Sequence, residues 1–529
     1  MFRHRVFRLP SVFSFEYTVN RLYLSYFSFG NHIRAKCCQN RNAVSEIRKQ
    51  LTFGVFYTAI AKYTGIFISL VVTGVLSRLL TPADFGTIVP ITVLVAFFSI
   101  LGDVGIGPAV IQHQTLSHKD LDSIFSFTVL TGALLAGIFF AGSWGIAALY
   151  ESPVFVPLSQ LLSVTLFFSC ANVVPNALLF KAKKFRFLAV RSLVVQSAAG
   201  GIAIAAAYLG AGLYALVIQS VVSSACMFLL SYRENPLRLL FLRLDWEPLK
   251  KIRSFSSYQF LFNILNYFSV NLDKLLIKKY MGATPLGYYD KSYRLMQLPL
   301  QYIPFVITPV MHPIFSEMQN DLEKMRTYYS KVVRFLAFIG FPLSVLLHFT
   351  GRDLIYILFG SQWGASVPVF EILALSVGFQ MILSTSGSIF QSAGSTKLLF
   401  LCGILSTVTI VSAVLTGLFA YRTLVALGIL LLGAFIVNFF LCYAILYRFL
   451  FKTGFAAFLK QLGSPLLLSF LLALILYALT PAAARINAIL SLLLKGGITV
   501  VVSGLYIQLT GEYDLFRQVR RLADRFRKR

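Results

Sequence analysis

Acidic charge is what this sequence has least of: 20 Asp and Glu stand against 47 Lys and Arg in 529 residues, for a net charge of +27. Charge of either sign makes up 13% of the chain, where a soluble domain carries roughly 25%. That shortage excludes an ordinary water-soluble enzyme surface. Cysteine is scarce too. Of Cys37, Cys38, Cys170, Cys226, Cys402 and Cys442, the last four lie inside apolar stretches, so neither a disulfide framework nor a zinc site fits them. Nucleotide machinery is missing: Gly282 and Gly287 have the opening spacing of a phosphate loop, but Tyr288-Tyr289 stands where Lys-Ser/Thr is needed. Asp120-Leu121-Asp122 imitates the metal-nucleotide motif of glycosyltransferases but reads as a solvated loop. His113 and His118 are spaced wrongly for a zinc pair on one helix face. No Ser/His/Asp set is visible, and neither enzymatic chemistry, a metal nor a cofactor is expected. No basic domain stands free of the apolar stretches, which argues against nucleic acid.

What the chain does have is apolar length. Hydrophobic residues make up 57% of it and mean hydropathy is +0.76, with 50 Phe and 25 Tyr suited to lipid contact and interfacial belts. Stretches of about 20 apolar residues recur, the length that crosses a bilayer as a helix, and predict an all-α polytopic membrane protein of about fourteen spans. Their centres fall near Ile68, Phe97, Leu135, Leu166, Ile202, Val221, Ile264, Tyr302, Ala337, Gly378, Thr407, Leu431, Leu471 and Ile498. Basic residues mark one side. Residues 181–186 hold four, 233–253 six and 517–529 seven, whereas 149–153 and 209–212 hold none and 480–486 only Arg485. By the positive-inside rule both termini face the cytoplasm, as an even number of spans requires. The connections are short, so no loop folds as a separate catalytic or receptor domain. Residues 1–50 carry nine Lys or Arg and no signal-peptide core. They read as a basic, poorly ordered cytoplasmic arm; a misassigned upstream start and an organellar transit peptide are the alternatives.

The chain also reads as built twice. A shift of 201 positions lays LLTPADFGTI, residues 79–88, under YMGATPLGYY, residues 280–289, with Arg78 on Lys279, Gly86 on Gly287 and Pro108 on Pro309. Farther on, LLSVTLFF (161–168) is similar to LALSVGFQ (373–380), and Tyr232-Arg233 closes one span as Tyr447-Arg448 closes another. Two parallel six-span lobes follow, 51–235 and 254–450, related by a pseudo-two-fold along the membrane normal. A cytoplasmic linker, 236–253, joins them. Two further spans (451–510) and a basic cytoplasmic tail (511–529) complete the chain.

The stretch LDKLLIKKYMGATPLGYYDKSYRLMQLPLQYI resembles the oligosaccharide flippases, Wzx-like polysaccharide biosynthesis membrane proteins of the multidrug/oligosaccharidyl-lipid/polysaccharide exporter superfamily. So do its first-half counterparts SRLLTPADFGTIVPITVL and GDVGIGPAVIQ. The resemblance implies a multi-pass protein of the bacterial cytoplasmic membrane that flips undecaprenyl-pyrophosphate-linked oligosaccharide repeat units by alternating access. Its product would enter exopolysaccharide, O-antigen or capsule-type export, with a polymerase and other pathway proteins as partners. Two rivals stand beside it: a membrane-embedded polymerase or glycosyltransferase acting on the same lipid, and a multidrug extruder of the same superfamily.

The polar residues inside the spans are the site candidates. Gln259, Asn263, Asn266, Asp273 and Lys274 fall within about a third of the circumference of the seventh span. Such a stripe is either helix–helix glue or the wall of a hydrated cavity. On the flippase expectation, Lys274 and Arg294 bind pyrophosphate and sugar hydroxyls by charge-assisted hydrogen bonds. Lys278 and Lys279, at the span end, reach either ligand or headgroups. Asp273 is expected to pair with Lys274 or to serve cation coupling. The first half offers Lys62 and Arg78 as ligands and Asp103 for coupling. Gly105 and Pro108 in GDVGIGP, matched by Pro304 and Pro309 with Pro299 in the eighth span, are expected to break or curve their helices as hinges.

Overall fold

The computed structural model describes residues 41–103, 105–113, 115–240, 267, 270–483 and 485–512. The described residues are helices and short connections, with no strand among them. The first half runs α1 (Arg41–Leu79), α2 (Pro82–Asp103), α3 (Ile106–Gln112), α4 (His118–Ala141), α5 (Ser143–Leu149), α6 (Phe155–Ala171), α7 (Val173–Lys181), α8 (Phe185–Tyr208) and α9 (Tyr214–Glu234). The order then recurs. Helical residues 270–281 lead into α10 (Ala283–Ser316), α11 (Leu322–Phe349), the short α12 (Gly351–Leu358), α13 (Ser366–Ala374), α14 (Val377–Leu383), α15 (Ser386–Ser392), α16 (Thr396–Thr416) and α17 (Leu424–Ile445). Two further helices, α18 (Ala456–Ala483) and α19 (Ala488–Leu509), follow. Ile60–Ser503 form one compact unit; Met1–Ala59 and Gly504–Arg529 are grouped in a second, described at helical residues 41–59 and at 504–512.

This is a multi-pass membrane protein. Among the described residues eleven helices are long and apolar enough to cross a bilayer, or twelve when the pair Ser366–Ala374 and Val377–Ser392, bent by 47°, is taken as one span. The expected fourteen also included 254–278, which lies mostly outside the described residues, and α10. That helix is 34 residues long and carries Asp290, Lys291 and Arg294 in its first turns.

Local chemistry sets the helix ends. Thr81 and Asp84 cap α2 reciprocally: the Asp84 carboxylate accepts from the Thr81 N–H at 2.8 Å, and the Thr81 hydroxyl accepts from the Asp84 N–H at 3.2 Å. Pro82 takes the first helical position, where its missing N–H costs nothing. Ser117 and Asp120 form a capping box at α4. The acidic triplet 120–122 therefore starts a helix instead of lying in a loop, and Asp122 accepts from the Arg238 N–H at 2.8 Å. The bends of the second half come from hydroxyls. Ser376, Ser384 and Thr385 donate back to the carbonyls of Leu373, Met381 and Ile382 at 2.6, 2.8 and 2.8 Å, competition that bends helices.

The expected interruption in GDVGIGP is present: α2 ends at Asp103, Gly105 adopts a left-handed φ of 74°, and α3 begins at Ile106. Pro108 sits in the first turn of α3, where no intrahelical donor is required. Its counterpart differs. The helical backbone of α10 continues through Pro299, Pro304 and Pro309 without a break.

The largest apolar core lies where the two halves meet, with Phe85, Ile88 and Val89 of α2 beside Tyr289 and Met296 of α10 and Trp363. A second core joins α11, α17 and α18 through Tyr329, Tyr443 and Phe458. The additional helix α19 is fastened by charge: Lys495 donates to Asp353 at 2.8 Å and to the Phe349 carbonyl at 2.9 Å, and Ser491 donates to the same carboxylate at 2.7 Å. Both side chains of this ion pair are largely buried. Asp353→Asn should therefore lower thermal stability in detergent by about 1.5–3 kcal/mol, the worth of a hydrogen bond to a charged group. An unchanged melting temperature would show that apolar packing alone holds α19.

Candidate functional site

The hairpin that joins residues 270–281 to α10 collects the charges. Gly282 makes the turn with φ 97°, a conformation that side-chain-bearing residues seldom adopt. Asp273 is 7% exposed and accepts from the Tyr289 hydroxyl at 2.6 Å and the Lys274 N–H at 2.8 Å. The expected side-chain pair between Asp273 and Lys274 is not made. Adjacent helical residues diverge by about 100°, so neighbours do not face each other. The Lys274 ammonium instead donates to Asn271 at 3.0 Å and lies 5.6 Å from the Tyr293 ring centroid.

About three turns into α10, Arg294 donates from Nε to Asp290 at 2.7 Å; Asp290 is 2% exposed and its second oxygen has no partner among the described residues. The Arg294 side chain is 64% accessible. Positive charge is thus the sign this pair leaves accessible. Lys291, by contrast, is buried, with its ammonium 3.6 Å from the centroid of Phe85, 5.0 Å from that of Phe359 and 5.2 Å from that of Trp363.

The two halves engage reciprocally around this hairpin. Gly86 and Gly287, the pair aligned by the 201-residue shift, meet the opposite helix backbone: a Cβ on Gly86 would lie 1.7 Å from the Ala283 oxygen, and one on Gly287 would lie 2.0 Å from the Pro82 oxygen. Pro82 and Ala283 are themselves 201 apart, so each contact is the image of the other. The aligned cations act alike. Arg78 donates to the Ile357 carbonyl near the end of α12 at 2.8 Å, and Lys279 donates to the Leu149 carbonyl at the end of α5 at 2.6 Å and to Glu151 at 3.1 Å. Helix C-termini leave carbonyls unsatisfied and carry partial negative charge, which suits both contacts. The last turn of α1 is covered in the same way. Trp363 Nε1 donates to the Ser77 carbonyl at 2.8 Å, and Gln362 donates to the carbonyls of Ser77 and Leu80.

The remaining candidates divide. Lys62 lies over the Tyr302 ring at 5.2 Å, linking α1 to α10. Lys278 lies over Phe155 at 5.2 Å. Asp103 caps the helix break by accepting from the Gly107 N–H at 3.0 Å. Gln259, Asn263 and Asn266 lie outside the described residues. Lys274 and Arg294 thus share one cluster with Asp273, whereas Arg78 belongs to the seam. Sequence reasoning missed Lys291 and its aromatic cage; the alignment of Arg78 with Lys279 was the signal that the seam existed.

Residues 75–368, more than half of the chain, match the family described as polysaccharide biosynthesis protein. The chain belongs to that family. The chain is similar to the lipopolysaccharide biosynthesis protein WzxC of Escherichia coli, 24% identical over 82% of this chain and 88% of that protein. The teichuronic acid biosynthesis protein TuaB of Bacillus subtilis is 24% identical over 67% and 74%. The succinoglycan biosynthesis transport protein ExoT of Rhizobium meliloti is 26% identical over 70% and 74%. Among solved structures, the lipid II flippase MurJ in an inward closed conformation superposes with a TM-score of 0.68, at 15% identity, over 87% of this chain and 99% of that one. An inward-facing multidrug resistance MATE transporter of the MOP superfamily reaches 0.54, at 17% identity, over 75% and 96%. This polysaccharide biosynthesis protein therefore shares the fold of both transporters.

Proposed function

We propose that this protein flips polyprenyl-pyrophosphate-linked oligosaccharides across the bacterial cytoplasmic membrane by alternating access, with lobes 51–235 and 254–450 parting and closing around the hairpin site. The carrying observation is the sign of the accessible charge: the Arg294 side chain is 64% accessible while Asp273 and Asp290 are buried. An anionic headgroup would meet a guanidinium. A cationic drug would need an accessible carboxylate, which is why the flippase reading is preferred to a drug extruder. An isolated ion costs on the order of tens of kcal/mol to move through hydrocarbon, and a basic passage between lobes removes most of that barrier. The names of WzxC and ExoT, which concern polysaccharide biosynthesis and transport, agree with this substrate class. A polymerase and other export proteins would receive the product, and no covalent step is assigned to this chain. The test is reconstitution with polyprenyl-pyrophosphate-linked oligosaccharide, reading its arrival in the opposite leaflet with an impermeant lectin. Equal rates in protein-free vesicles would end the proposal.

The reading carries a topology. Both termini lie in the cytoplasm, so cysteines introduced at 181–186, 233–253 or 517–529 of a cysteine-free variant should resist impermeant maleimides in intact cells. Cysteines at 149–153 should react within minutes. The reverse pattern would invert the protein and place the seam at the cytoplasmic face.

A further inference from the structure

We propose that Lys291 is a second phosphate-binding group of the hairpin, sequestered while the two halves meet and presented when they part. The idea rests on the flippase reading, but it is tested without transport, so either can fail alone. Lys291 is 2% exposed, and among the described residues no carboxylate lies within ion-pair distance of it. Asp290, next to it, is engaged by Arg294. Aromatic faces attract a cation, yet they replace water less completely than an anion does. A leucine or methionine would fill the same space without that burden. The ammonium therefore serves a conformer other than this one.

The cage tells which. Phe85 comes from α2 of the first half, whereas Phe359 and Trp363 belong to the second. Trp363 is held to α1 through the Ser77 carbonyl, next to Arg78 and its bond to Ile357. Separation along this seam withdraws Phe85 and opens the cage. Lys291 and Arg294 stand three residues apart on α10, hence on neighbouring positions of one face. The freed ammonium would then lie one turn from the accessible guanidinium, and the two could hold a pyrophosphate between them by charge-assisted hydrogen bonds. Arg294 would receive the headgroup with the seam shut, and Lys291 would share it once the seam opens.

The experiment uses the full-length protein in nanodiscs, acetylated with an impermeant amine reagent and read lysine by lysine by mass spectrometry. In the wild type Lys291 should react slowly and exposed Lys183 quickly. In Arg78→Met/Lys279→Met, which removes both seam cations, Lys291 should react faster by roughly tenfold or more, as a shifted two-state equilibrium requires. Lys495, buried against Asp353, should stay slow and so report that the protein remains folded. If Lys495 also becomes fast, Phe85→Ala replaces that variant, because it opens the cage and leaves both seam cations in place. Inorganic pyrophosphate and polyprenyl pyrophosphate in the nanodisc are the two protecting probes. Protection by both marks a general phosphate site; protection by the lipid alone marks a headgroup site. Lys291 that stays slow in both variants, or becomes fast and is protected by neither probe, overturns the proposal.

Discussion

Arg294→Ala is expected to lower export of the lipid-linked sugar by roughly 10- to 100-fold, the equivalent of one hydrogen bond to a charged group at about 1.5–3 kcal/mol. Among the described residues Arg294 has one engaged nitrogen, Nε on Asp290, which leaves the rest of its fork for a ligand. The substitution also leaves the buried Asp290 carboxylate without its cation. The guanidinium is 64% accessible but Asp290 is 2% exposed, so a loss of stability should accompany the loss of export. Asp290→Asn combined with Arg294→Ala separates the two effects. If the double variant recovers stability without export, Arg294 acts on the ligand; if export returns as well, the arginine merely neutralised Asp290. Lys274 gives a graded comparison. Its ammonium is tied to Asn271 and Tyr293, so Lys274→Arg should transport better than Lys274→Ala. Normal export by both would remove Lys274 from the site.

Much of the fold could be read from composition and periodicity, because spans of apolar residues obey a length set by the bilayer. The 201-residue alignment picked out Gly86 and Gly287, which meet the opposite helix backbone and tolerate no Cβ. Away from that crossing the copies differ in length and in how they bend. The hydroxyl-induced kinks around Ser376 and Thr385 depend on which carbonyl a side chain returns to, and periodicity does not carry that information. The site was legible in part. A charge cluster beside Gly282 is visible in the sequence, but burial decides the role of each member: Asp273, Asp290 and Lys291 point inward while Arg294 remains accessible. The sequence offered Arg78 as a ligand of the first half. In the structure Arg78 and Lys279 both reach carbonyls at helix ends across the seam. The cage around Lys291 was invisible, since Phe85, Phe359 and Trp363 are brought together only by tertiary packing.

Gly86→Val should have the largest effect on the conformation of the protein. The new Cβ would sit 1.7 Å from the Ala283 oxygen and 2.9 Å from the Gly287 nitrogen, both backbone atoms that no rotamer change can move. Overpacking a tight contact costs about 1–3 kcal/mol where side chains can yield, and here two helices must shift instead. Either α2 and α10 separate along the seam or the helix pair fails to assemble. The reciprocal change, Gly287→Val, meets the Pro82 oxygen at 2.0 Å and should behave in the same way. A valine at Gly137 or Gly403, where an added Cβ meets nothing within 4 Å, supplies the control. Spin labels on Val154 and Ser361, exposed positions in the two halves, report the outcome as a distance distribution. Longer distances with both valine variants, and none with the controls, would show the glycine crossing to be what keeps the seam shut. Unaltered distances and melting temperature in Gly86→Val would mean that the two helices do not cross at these glycines, and the reciprocal geometry would then have to be abandoned.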